Sequence, residues 1–143
     1  MGVRRAAREC AVQFLYQLDL HPADAEKALA EFWTLNKSAK STREFSEKLI
    51  RGVLEKKAEL DAKIATLADN WDVSRLAAVD RNILRLAVYE MMFCEDIPPV
   101  VTINEAVDLA KRFSADDSGA FVNGILDRAK RDLPRPARHP AGG

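Results

Sequence analysis

DRNILRLAVYEMMF, residues 80–93, is the stretch whose reading decides the fold. At 100° per residue Ile83, Leu84, Ala87, Val88 and Met91 fall on one side of a helix, and Leu86 and Met92 widen that side well past a stripe. A helix this apolar has to be covered from more than one direction, so it is expected at the centre of the core. Only Asp80, Arg81, Asn82, Arg85, Tyr89 and Glu90 remain to face water or a partner.

Working outward, the flanking segments also carry helical periodicity. Val3 to Leu20 buries Ala7, Cys10, Ala11, Phe14 and Leu18. After His21-Pro22, with Pro22 in the first turn, a second helix offers Ala25, Ala28, Leu29, Phe32 and Trp33. S-T-R-E at Ser41–Glu44 reads as a capping box opening a third helix with Phe45, Leu49, Ile50, Val53 and Leu54 inward. Lys56-Lys57 is expected to break it from a fourth, carrying Leu60, Ile64, Leu67 and Ala68. Asn70 to Val73 connects to the central helix, with Ser74 as a cap. Pro98-Pro99 forbids its continuation. T-I-N-E at Thr102–Glu105 reads as a second capping box, followed by Ile103, Ala106, Val107, Ala110 and Phe113. After a short acidic turn capped by Ser114 or Asp116, the last helix carries Phe121, Val122, Ile125, Leu126 and Ala129, with Gly124 allowing a close approach.

No segment alternates as a strand does, and no repeat of solenoid period is present. The expected fold is all-α: about seven helices packed as two small helical bundles in a single compact domain. It spans residues 1–136, with an N-terminal half over about 1–70 and a C-terminal half over about 71–133. Pro134 and Pro136 end the order, and 137–143 is expected to be a flexible tail.

Composition closes off several functions. There is no apolar run long enough for a membrane span and no signal-peptide core, since Glu9, Gln13 and Gln17 interrupt the N-terminal helix. Cys10 and Cys94 sit singly in helical patterns and read as reduced thiols of a cytoplasmic protein. His21 and His139 are too dispersed for a triad or a metal site, and no glycine-rich phosphate loop exists, so neither metal nor cofactor is expected and an enzyme is disfavoured. Asp116-Asp117 reads as a complement to a helix dipole, not as a catalytic pair. The 22 basic and 22 acidic residues cancel, but Arg4, Arg5 and Arg8 make the start basic and Arg128, Lys130, Arg131, Arg135 and Arg138 the end. Basic termini on a neutral body suit a local anionic partner.

On the first helix Arg4, Arg5, Arg8 and Tyr16 lie away from the apolar stripe, with Gln13 at the margin. Guanidinium groups beside a ring suit single-stranded RNA, phosphates on the cations and a base on the ring. A solvated arginine face with Tyr16 at a packing edge gives the same pattern.

RECAVQFLYQLDL (Arg8–Leu20), DRNILRLAVYEM (Asp80–Met91) and VTINEAVDLAKRFSADDSGAFVNGILD (Val101–Asp127) resemble the NusB family of transcription antitermination factors. The stretch from Ile103-Asn104-Glu105-Ala106 through Phe121-Val122-Asn123-Gly124-Ile125-Leu126-Asp127 is the most specific part, and Pro22 to Trp71 the least. The resemblance implies an all-helical, non-enzymatic protein that binds boxA, a short single-stranded element of ribosomal RNA transcripts. It does so with NusE, a small-subunit ribosomal protein, and helps RNA polymerase pass terminators. It implies RNA contacts at Arg4, Arg5, Arg8, Gln13, Tyr16, Arg85, Asp117, Ser118 and Phe121, and a NusE contact at Asp80. Arg85 would join the arginines on phosphate, Phe121 would stack a base, and Asp117 and Ser118 would read base edges. Phe121 also fits an apolar stripe.

The arginine run is sparse, and Ala120 stands where a basic residue would help with phosphate; both imply weak binding without NusE. The family contains monomers and homodimers, and both stay open. Two alternatives remain: a protein–protein adaptor whose partner holds the RNA, and the related helical module fused to ribosomal RNA methyltransferases. A chain ending near Gly143 leaves no room for a methyltransferase fold.

Overall fold

The computed structural model describes residues 2–69 and 72–133. The connector at Asn70-Trp71, the stop at Pro134 and Pro136, Arg135 between them, and the tail 137–143 with its Arg138 and His139 lie outside them. Six α-helices follow in order: α1 (Val3–Leu20), α2 (Ala25–Leu35), α3 (Lys40–Leu67), α4 (Ala78–Phe93), α5 (Pro99–Phe113) and α6 (Ser118–Arg131), with a 3₁₀ turn at Val73–Arg75. Among the described residues there is no strand.

The helix DRNILRLAVYEMMF is central, as its composition requires. α4 packs against α1, α3, α5 and α6, and Ile83, Leu84, Leu86, Ala87, Val88 and Met91 are buried. The apolar faces of all six helices join one core cluster. Phe14 of α1 meets Phe32 of α2 edge-on at 5.6 Å, and Phe32 meets Trp33 at 5.1 Å.

The expected third and fourth helices are one, α3, of 28 residues. Lysine is a good helix former, and nothing at Lys56-Lys57 removes a backbone donor or forces a turn. α3 stops where Asp69 enters the left-handed region (φ 56°), a conformation that a short polar side chain tolerates. Arg128 of α6 donates to the Leu67 carbonyl at 2.7 Å and pairs with Asp69, satisfying an orphan acceptor at that end.

The expected caps form elsewhere. α3 starts at Lys40 with no side-chain cap, so Ser41–Glu44 is no capping box. α5 starts at Pro99, a residue suited to the first helical position because its missing N–H costs nothing there. The prolines therefore open α5, and Thr102 lies inside the helix with its side chain buried. Asp24, not Pro22, borders α2, accepting from the Lys27 amide. Asp72 accepts from the amide and the hydroxyl of Ser74, which is thus capped and does not cap. Gly124 faces open space, and the tight approach is at Gly52 of α3: a Cβ there would fall 2.1 Å from Tyr89 Cζ. Tyr89 lies against α3 because Gly52 has no side chain.

Candidate nucleic-acid interface

The N-terminal arginines are of two kinds. Arg8 is interior, 3 % exposed. It lies at i, i+4 and i+7 with Val12 and Leu15, all buried in α1. Its guanidinium makes a two-pronged bond to Glu90 of α4, Nε to Oε2 at 2.8 Å and Nη2 to Oε1 at 2.9 Å. Thr102 of α5 donates to the same carboxylate at 3.0 Å. Three helices are thereby joined through one buried ion pair, and Arg8 is not placed to meet phosphate. Glu90, expected at the surface, is 1 % exposed.

Arg4 and Arg5 stay at the surface. Arg4 pairs with Asp96 at 3.1 Å and lies 4.9 Å over the Phe45 ring. Arg5 reaches across to α5, bonding Glu105 and Asp108 at 2.9 Å each. Beside it Arg112 of α5 reaches back to Glu9 of α1. Arg5, Arg8, Glu9, Glu105, Asp108, Lys111 and Arg112 line a groove of about 280 Å³ between these helices. Eleven residues on from Arg5, Tyr16 returns to the same helical face and is half-buried, and Gln13 is exposed beside it.

Arg85 also leaves the expected interface. It is 5 % exposed and forks onto Asp61 of α3 through Nε at 2.7 Å and Nη2 at 2.9 Å. Its Nη1 approaches Asp19 of α1 at 3.3 Å. Asp19 also accepts from Arg81 at 2.8 Å and Asn82 at 3.0 Å. Burial pushes the Asp19 carboxyl up, but the Arg81 and Asn82 hydrogen bonds and the charges of Arg85 and Arg81 outweigh it and hold the carboxyl below the usual range.

Asp80 and Ser118 turn inward as a pair. The Asp80 carboxylate accepts from Ser114 Oγ at 2.7 Å and Ser118 Oγ at 3.1 Å. This holds the α5–α6 turn onto the start of α4. Asp80 is 8 % and Ser118 3 % exposed, so neither the expected NusE contact nor the expected base contact has a surface there. Asp80→Ala should cost about 2 kcal/mol, because two hydroxyls lose a charged acceptor. Urea unfolding would measure it, and an unchanged midpoint would refute the capping role. Asp117, by contrast, is exposed at the N-cap of α6 with no side-chain cap bond, and Phe121 is 39 % exposed.

A profile of the NusB family matches residues 5–131. The chain belongs to the NusB family. The transcription antitermination protein NusB of Geobacter sulfurreducens is 46 % identical over 137 residues, covering 94 % of this chain and 98 % of that one. T. maritima NusB superposes with a TM-score of 0.84 at 39 % identity, over 92 % of this chain and 93 % of that one. The structure of the antitermination factors NusB and NusE in complex with dsRNA matches with a TM-score of 0.84 at 30 % identity, over 93 % of this chain and 99 % of that one.

In this NusB-family fold the sequence reading passed over Lys111 and Arg112 at the end of α5 and put Phe113 on the apolar stripe; all three are exposed. Arg112 lies 5.1 Å over the Phe113 ring. Two adjacent cations followed by a ring were the signal, but basic residues in a last turn are ordinary complements to a helix dipole. Among the described residues no group of histidine, cysteine and acidic side chains could hold a metal, and no helix is long and apolar enough to cross a membrane.

Proposed function

We propose that this chain is a non-enzymatic transcription antitermination factor that binds boxA-type single-stranded RNA together with NusE. The observation that carries this reading is the α1–α5 groove, where Arg5 and Arg112 cross between helices at the surface and Lys111 lines the wall. Arg4 extends this rim, and Tyr16, Phe113 and Phe121 are rings with exposed area for stacking. The exposed Asp117 carboxylate would accept from a base edge. The NusB–NusE–dsRNA structure among the relatives supports RNA and a NusE-type protein as partners. The cells would use such a complex on RNA polymerase transcribing ribosomal RNA operons.

Weak binding without NusE follows from the ion pairs. Arg5 and Arg112 already hold Glu105, Asp108 and Glu9, so a phosphate gains only the difference between two salt bridges. Arg8 and Arg85 are interior, which leaves Arg4, Arg5, Lys111 and Arg112 as phosphate ligands. With roughly two to four phosphates neutralised, log affinity should fall against log salt with a slope of about −1.4 to −2.8. A fluorescence titration with boxA RNA and a scrambled control, with and without NusE, tests the reading. Arg5→Ala with Arg112→Ala should flatten the slope by about 1 to 1.5 and leave the helical signal intact. Equal affinity for boxA and scrambled RNA in the presence of NusE would overturn it.

A further inference from the structure

A second aromatic and cationic surface lies on the α3–α4 face, outside the groove just described. Tyr89 and Phe93 sit one turn apart on α4 with ring centroids 5.4 Å apart and planes inclined by 34°. Tyr89 lies against α3 over Gly52, where even one methyl group would collide with its ring. Phe93 is 38 % exposed, although aromatic rings in a protein of this size are normally covered. The Lys56 ammonium of α3 sits 5.4 Å from the Phe93 ring centroid.

This surface is continuous with the N-terminal arginines. Lys48 lies one turn before Gly52 on α3 and is exposed. Arg4 pairs with Asp96 at 3.1 Å; burial pushes the Asp96 carboxyl up, but the hydrogen bonds from Arg4 and the backbone and the charges of Arg4 and Lys48 hold it below the usual range. Arg4 in turn covers the Phe45 ring at 4.9 Å. Rings and cations thus alternate from Phe45 and Arg4, through Lys48, to Tyr89, Phe93 and Lys56.

We propose that Tyr89 and Phe93 form a base-stacking platform on which single-stranded RNA leaving the N-terminal arginines continues across the α3–α4 face. The proposal rests on the RNA reading above and extends it to nucleotides flanking the boxA element. Single-strand binding without sequence preference uses such rings between cations, because every base has a π-face. Glu55 lies beside Tyr89 and Asp96 beside Arg4, so the local charge nearly cancels. Stacking, not phosphate attraction, therefore dominates the gain, which should be tolerant of sequence and nearly independent of salt. A base over Phe93 displaces the Lys56 ammonium toward the adjoining phosphate.

The test compares boxA RNA with the same RNA lengthened nucleotide by nucleotide at either end, in the presence of NusE. Lengthening at one end should tighten binding by about 5- to 150-fold per stacked base. Phe93→Ala should return the extended RNA to the affinity of the short one and leave the short RNA unaffected. 4-Thiouridine in the extension should crosslink to the peptide carrying Tyr89 and Phe93. Equal affinity of the Phe93→Ala and parent chains for extended RNA, with short RNA still bound, would overturn the platform alone. A gain that vanishes at high salt would overturn the stacking mechanism. Failure of the short RNA to bind would overturn the RNA reading of the whole chain.

Discussion

Arg8→Ala should lower the melting temperature by roughly 10–20 °C, and it should do so in the absence of RNA. The substitution leaves the Glu90 carboxylate buried at 1 % exposure with only the Thr102 hydroxyl as a close donor. Breaking one side of a buried ion pair typically costs about 3–5 kcal/mol, because the remaining charge has lost its compensation. At about 4 °C per kcal/mol for a domain of this size, the shift is easily read by circular dichroism. Arg8→Met with Glu90→Leu should recover much of the loss, since two apolar side chains can fill the site without any charge to desolvate. An Arg8→Ala chain that melts like the parent but no longer binds RNA would return Arg8 to the RNA surface.

Arg85→Ala should also destabilise, by about 3 kcal/mol, the low end of the range for a broken buried pair. It strips the two-pronged partner from Asp61 and one of the charges facing Asp19. Asp19 keeps Arg81 and Asn82, and Asp61 is partly solvated, so the loss is smaller than for a fully sealed pair. The network also predicts a pH dependence. The folded Asp19 carboxyl titrates below its unfolded value. Its contribution is therefore complete above the ordinary aspartate pKa of about 3.9 and is lost as pH falls through the lowered folded value. In the Arg85→Ala chain the folded value moves back up, and this acid-side loss shrinks. Thermal melts from pH 6 down to about pH 3 would read both effects. An acid profile unchanged by Arg85→Ala would mean that Arg85 contributes nothing to Asp19.

Both substitutions concern arginines assigned to RNA, Arg8 by the sequence pattern and Arg85 by the family resemblance. On α1, Arg4, Arg5 and Arg8 look alike in the sequence, yet two stay at the surface and one is sealed inside. The difference was visible in outline: Arg8 shares a face with Val12 and Leu15, and Glu90 is an acid in the mostly apolar second half of α4. A buried acid demands a partner, but no local pattern says which of 22 basic residues supplies it.

What the sequence determined by itself is whatever depends on neighbours along the chain. The all-helical class, the central place of DRNILRLAVYEMMF and the apolar faces of the other helices follow from a 3.6-residue period that repeats locally. The family resemblance follows likewise from contiguous motifs. What only the tertiary structure decided is the partner of each polar group. Arg8 meets Glu90 across 82 positions, and Arg5 meets Asp108 across 103. Asp80 turns to two serines of the α5–α6 turn, Thr102 gives its hydroxyl to Glu90, and α3 runs on past Lys56-Lys57. Burial of an apolar group is favourable against almost any apolar neighbour and so can be read from pattern alone. A charge is tolerated inside only beside a particular opposite charge at hydrogen-bonding distance, and that distance exists only once the helices have packed.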